Sequence, residues 1–246
     1  FMQRSQQTKQ TPDFSKHGRP GSRIGGGSRG GCPFANQNPP QNQNPPLTAL
    51  IPVTKWGKTV AERPTFWFYI PYSPQEARSG EFLLREEVGK NGSDSVFREI
   101  YRVSFTLPKT PGLISFRLPP TKAPLEINEF YRWDFQLNCA LSSSATDLVT
   151  GWVQRIEMTP KLESELKAAT GREYDVYTNN SIWYDAIARL VELRLTQPTN
   201  STLDKYWTYL WSLPGVNSSD LKPEELINPE ELKQKPIVGS VILEGQ

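Results

Sequence analysis

From Phe130 to Cys139 large side chains alternate with polar ones. Tyr131, Trp133, Phe135, Leu137 and Cys139 fall on one side, and Arg132, Asp134, Gln136 and Asn138 on the other. A period of two marks a strand with one face buried. The same period runs through residues 97–107, where Tyr101, Val103, Phe105 and Leu107 oppose Arg98, Arg102, Ser104 and Thr106. In residues 112–118 it places Ile114, Phe116 and Leu118 inward. Residues 65–72 are aromatic on both faces, at Phe66, Trp67, Phe68 and Tyr69, as a central or interface strand is. Further strands are expected at 81–88 and 148–158. Pro108, Pro111-Gly112, Asn91-Gly92 and Pro119-Pro120 supply turn chemistry between them. Short alternating strands with this punctuation predict an antiparallel, immunoglobulin-like β-sandwich.

After Met158 the period lengthens. Thr159-Pro160 is an N-cap followed by proline at the first helical position, and a short helix through Leu162, Leu166 and Ala169 follows. Residues 181–196 put Ile182, Trp183, Ala186, Leu190 and Leu193 on one stripe. Asn200 or Ser201 caps a further helix with Leu203, Tyr206, Trp207, Leu210 and Trp211, which Pro214-Gly215 stops. Pro223 and Pro229 each begin a Pro-Glu-Glu start, and residues 236–243 read as an isolated terminal strand. The expected class is a β-rich α+β chain: a sandwich over 47–158, a small helical hairpin region over 159–235, and a strand-like tail over 236–246. An extended arm, residues 1–46, precedes them.

Composition sets the arm apart. It holds seven Pro, seven Gly, seven Gln and four Asn, with almost no aliphatic residues. Such a segment buries too little apolar surface to offset its ordering entropy. Arg4, Lys9, Lys16, Arg19, Arg23 and Arg29 face only Asp13 there, so the arm carries +5 of a chain total of +2 and the remainder carries −3. A basic arm suits other copies of the chain or an acidic polysaccharide. Apart from Phe14 and Phe34 it has no aromatics interleaved with its basic residues, so a nucleic-acid surface is not expected.

Cys32 and Cys139 are the only cysteines, an even count that fits one disulfide in an oxidising compartment. Two free thiols are the alternative. No run of apolar residues is long enough to span a membrane. The chain begins Phe1-Met2, so removal of a signal peptide is the economical expectation, with an extracellular or periplasmic location.

Catalysis has little to stand on. With one histidine, His17, in the arm, a Ser-His or Cys-His pair is not expected, and neither is a metal centre or other cofactor. Glu81, Glu86, Glu87, Asp134 and Glu157 could form a carboxylate pair, but any soluble chain offers as many. Asn91, Asn179, Asn200 and Asn217 head glycosylation sequons and read as surface loops. Trp67, Tyr69 and Tyr72 could form an aromatic binding surface, against the commoner alternative of a sandwich core.

Several blocks bear a likeness to a known family. Leu47-Thr-Ala-Leu-Ile-Pro52, Pro64-Thr-Phe-Trp-Phe-Tyr-Ile-Pro-Tyr72, Tyr131-Arg-Trp133, Gly151-Trp-Val-Gln-Arg155 and Ile182-Trp-Tyr-Asp-Ala186 stand in order between about Gly25 and Pro214. Together they resemble a family of cyanobacterial secreted proteins, domain of unknown function 928. The resemblance implies an exported protein with a strand-rich half and a helical half, and it carries no reaction and no site residues.

The function expected from the sequence is therefore a non-catalytic secreted assembly protein, such as a filament or surface-layer subunit. Arg4, Lys9, Lys16, Arg19, Arg23, Arg29, Ile237, Val238, Val241 and Leu243 would engage neighbouring copies. The alternative is a periplasmic or cell-surface binding module for polysaccharide or a protein partner.

Overall fold

In a computed structural model that describes residues 10–25, 31–32, 46–107, 112–142 and 144–226, two β-sheets face each other and a helical region packs against them. The sandwich and the helices after it are the architecture that the periodicity predicts. Sequence-predicted contacts at Arg4, Lys9, Arg29, Ile237, Val238, Val241 and Leu243 lie outside the described residues, as does the strand expected at 236–243.

The strands are β1 (Thr48–Ala49), β2 (Trp56–Thr59), β3 (Thr65–Ile70), β4 (Ala77–Asn91), β5 (Asp94–Thr106), β6 (Gly112–Arg117), β7 (Phe130–Cys139) and β8 (Thr146–Arg155). The smaller sheet has the order β1-β3-β6 and the larger β2-β8-β7-β4-β5. β7 buries every second residue along its length, as its alternation requires. Between the sheets Phe68 stacks on Phe135 and Phe82 on Phe116, each pair with ring centroids 4.0 Å apart. Such offset aromatic contacts add to the area buried. The long β4–β5 hairpin turns at Gly92, whose φ of 63° at the first central position favours glycine.

Two features depart from the sequence pattern. β2 pairs parallel to β8 in an otherwise antiparallel sheet. Its four residues, Trp-Gly-Lys-Thr, show no alternation to reveal it. β8 runs from Thr146 to Arg155 rather than over 148–158, because β7 offers its last partner, Phe130, to Gln154.

The helices are α1 (Pro160–Ala168), α2 (Glu173–Asn179), α3 (Trp183–Thr196), α4 (Ser201–Ser212) and α5 (Pro223–Leu226). The Thr159 hydroxyl accepts from Leu162 N and the Asn200 side chain from Thr202 N, as the capping residues predict. α2 is the helix that the pattern misses, being short and without a side-chain cap. The helical region is not packed separately from the sandwich. Tyr184 on α3 accepts from Trp133 Nε1 at 2.8 Å and donates to the Trp152 carbonyl at 2.8 Å. The Trp183 indole N–H donates to the Leu50 carbonyl at 2.9 Å. One continuous buried cluster runs from the strand aromatics to Trp207 and Trp211.

The arm differs most from its compositional expectation. Residues 10–25 lie against the body. Phe14 is buried, its N–H donating to the Pro214 carbonyl at 2.8 Å and its ring meeting Trp183 edge-on. Ser22 bridges to Thr150 of β8, and Ile24 bridges to Thr48 of β1. The arm thus pairs with β8 of the larger sheet and with β1, an edge strand of the smaller one. Composition misses this because backbone N–H and C=O groups, which every sequence carries, make the attachment.

Candidate functional site

Arg19 and Arg23 are occupied within the chain. The Arg19 guanidinium lies 4.0 Å from the Phe130 ring centroid and 4.8 Å from that of Trp152, and pairs with Glu87 at 3.2 Å. Arg23 is buried. It donates from Nη1 to the carbonyls of Ile51 and Val216, from Nη2 to Asn217 and Asp220, and from Nε to Asp220. Neither cation is presented outward for a neighbouring copy. Lys16 is exposed beside Asp13.

Trp67 and Tyr72 are corrections to the aromatic binding surface. They are 4% and 1% exposed, so neither ring offers a face to a ligand. The Tyr72 hydroxyl donates to Asp147 Oδ2 at 2.7 Å and accepts from Cys32 N at 2.9 Å. Burial, with the Asp147 carboxylate beside it, holds that hydroxyl protonated well above the ordinary tyrosine range. Tyr69 is partly buried against the same core. Cys32 and Cys139 are joined, with Cα atoms 5.2 Å apart and a sequence separation of 107. The disulfide ties the arm's end to β7, and Tyr72 links Cys32 N to Asp147 of β8.

The candidate carboxylates of the strands are matched by cations. Glu81 pairs with Arg102, Glu86 with Arg98, Glu87 with Arg19 and Lys90, and Asp134 with Arg85 and Arg132. The carboxyl that stands apart is one the sequence reading did not select.

Asp185 sits in the first turn of α3, at the floor of a 310 Å³ cleft where β2, the start of β3, α2 and α3 meet. Its Oδ2 accepts from Val60 N at 3.2 Å, and the Thr59 hydroxyl also reaches it. Burial outweighs these bonds and pushes the carboxyl up to about 6. Around it the cleft is lined by three arginines, Arg63, Arg117 and Arg189, and by Glu173 and Glu192. Arg189 donates to Glu173 at 3.2 Å. Burial raises the Glu173 carboxyl, but its own and the Gly171 N–H, together with Arg189, bring it below the ordinary value. Arg117 donates from Nε to the Thr65 hydroxyl at 3.0 Å and has no carboxylate partner among the described residues. The half-buried Tyr177 ring adds an apolar wall, its hydroxyl pushed up to about 12 by burial and by Asp185 and Glu173. The only sequence signal for Asp185 was its place inside the Ile182-Trp-Tyr-Asp-Ala186 block.

A family model described as Domain of Unknown Function (DUF928) matches residues 24–224, which take in both sheets, the cleft and the end of the arm. The chain belongs to the DUF928 family. No curated protein matches this DUF928 chain. Among solved structures it is similar to T.fusca AA10A, at 10% identity and a TM-score of 0.29, over 42% of this chain and 52% of that one. It is also similar to an LPMO from Kitasatospora papulosa, at 6% identity and a TM-score of 0.31, over 44% and 55% of the two chains. The DUF928 chain therefore spans about half the length of these structures.

Proposed function

We propose that the chain is an extracellular or periplasmic binding protein that holds a neutral sugar ring of an oligosaccharide in the Asp185 cleft, without turning it over. The observation that carries this reading is the cleft's balance. Three guanidiniums meet three carboxyl groups beside a tyrosine ring. A neutral polyol needs donors and acceptors in similar number and an apolar wall for its C–H face, and it gains nothing from a net charge. At 310 Å³ the space suits one ring or two rather than a folded chain. The Cys32–Cys139 bond supports the oxidising compartment.

Assembly with other copies is the competing proposal. The engagement of Arg19 and Arg23 within their own chain favours binding instead. Calorimetry against neutral hexasaccharides of glucose, mannose and galactose tests the choice. Binding of one of them that falls at least tenfold in Arg117→Ala and in Tyr177→Ala supports the reading. Absence of binding, or binding indifferent to both substitutions, overturns it.

A second reading is favoured by the elevated Asp185 carboxyl alone, since such a group can move a proton near neutral pH. Shortening of the same hexasaccharides that disappears in Asp185→Asn would replace binding with hydrolysis.

A further inference from the structure

A second cleft, of 320 Å³, opens on the other end of β2, between that strand, the arm and the turn from α2 to α3. Its chemistry differs from that of the first. Lys16, His17 and Lys58 line it, and Asp13 is the one carboxylate among its lining residues. Asp13 Oδ1 accepts from Ser15 N at 2.8 Å and from Ser15 Oγ at 2.6 Å, so three basic side chains face one carboxylate. Lys58 is partly buried and has no carboxylate partner among the described residues. A cationic side chain at the wall of a cleft attracts an anionic ligand.

The backbone around this cleft is unusual too. His17 and Ser181 on its lining, and Lys55 next to Trp56, have φ values of 64°, 56° and 64°. Left-handed backbone at residues other than glycine costs energy and concentrates at functional positions. The His17 ring stands edge-on to Trp56, which fixes one wall. Lys58 and Thr59 are neighbours on β2, yet Lys58 lines this cleft and Thr59 lines the Asp185 cleft. Ser181 and Asp185 divide between the two clefts in the same way across the start of α3.

We propose that this second cleft binds the carboxylate of a uronate residue of an acidic oligosaccharide. The inference rests on the saccharide reading of the first cleft and adds the substrate class. Lys58 and Lys16 supply charge to the carboxylate, and the His17 and Trp56 rings pack against the sugar.

The test compares a glucose–glucuronate alternating hexasaccharide with its carboxyl-reduced form, an all-glucose chain of equal length, by calorimetry on the full chain. The acidic probe is expected to bind at least tenfold more tightly, with an advantage that shrinks as salt rises. Lys58→Gln should abolish that advantage. Equal affinity for the two probes, or an advantage that survives Lys58→Gln, overturns the proposal. If Lys58→Gln removes the advantage while Arg117→Ala has no effect on either probe, the second cleft stands and the reading of the first fails. Binding of neither probe overturns both.

Discussion

Arg23 and Asp220 lie 197 positions apart in sequence and meet through two nitrogens of the guanidinium and both carboxylate oxygens. Three further hydrogen bonds from Arg23, to Ile51, Val216 and Asn217, bring its hydrogen bonds to five, the number of N–H groups that a guanidinium carries. The arm, the loop after β1 and the loop after α4 are thereby held at one point. A planar fork does this; an ammonium has three donors and no fixed plane.

Arg23→Ala should therefore destabilise the chain by about 2–3 kcal/mol, since it leaves the buried carbonyls of Ile51 and Val216 without their donor. Arg23→Lys should recover only part of the loss. Urea unfolding of the three proteins measures both. A loss below about 1 kcal/mol in the alanine variant would mean that solvent replaces the guanidinium freely. The pair also bears on acid stability. Burial raises Asp220, but the hydrogen bonds and charge of Arg23 bring its carboxyl below the ordinary value of 3.8. Its contribution is thus present above that value and is lost as pH falls through the lower, folded one.

Breaking the Cys32–Cys139 bond releases a loop of 107 positions. Chain entropy puts its worth at about 4–5 kcal/mol, and native bonds of this kind are typically worth about 2–5 kcal/mol. Cys32→Ser with Cys139→Ser should lower the urea midpoint accordingly. The same variant should also expose Arg19 and Arg23 to trypsin. Cleavage there without a fall in midpoint would separate arm docking from global stability.

Gly215 has a φ of 77°, and a Cβ built on it would come 2.2 Å from Ser15 N and 2.4 Å from Phe14 C. Backbone atoms on both sides cannot yield as a flexible side chain would. Gly215→Ala should displace the arm and cost at least about 1 kcal/mol from the φ alone. Hydrogen exchange at the Phe14 amide, which donates to the Pro214 carbonyl, reads the displacement directly. Unchanged protection there would show that the arm tolerates a methyl group at this contact.

The strands with one dry face were legible in the sequence, because burial on one side forces a period of two. β7 is the clearest case, with all five predicted inward residues buried. β2 was not, since Trp-Gly-Lys-Thr owes its place to the arm, β8 and α3 rather than to a pattern of its own. The arm was illegible for another reason. Its two bridges use backbone groups, and Arg23 finds acceptors at Val216, Asn217 and Asp220 that nothing in its neighbourhood announces. Asp185 likewise has the spacing of an ordinary first-turn helix acid. Its environment exists only once the end of β2 closes over α3.

That environment gives Asp185 a pH signature opposite in sign to that of Asp220. Its carboxyl stands at about 6 in the folded chain against an ordinary value of 3.8, so the folded state holds the proton more tightly than the unfolded state does. The associated stability is fully present below about pH 4, is lost as pH rises to about 6, and stays lost above it. The size of that loss is at most roughly 3 kcal/mol. Asp185→Asn keeps an acceptor for Val60 N and cannot ionise. The difference in stability between the variant and the parent should therefore grow in the variant's favour from about pH 4 to about pH 6 and then level off. Urea unfolding at steps across that window gives the curve. A difference that does not change with pH would mean that the carboxyl titrates alike in the folded and unfolded chain.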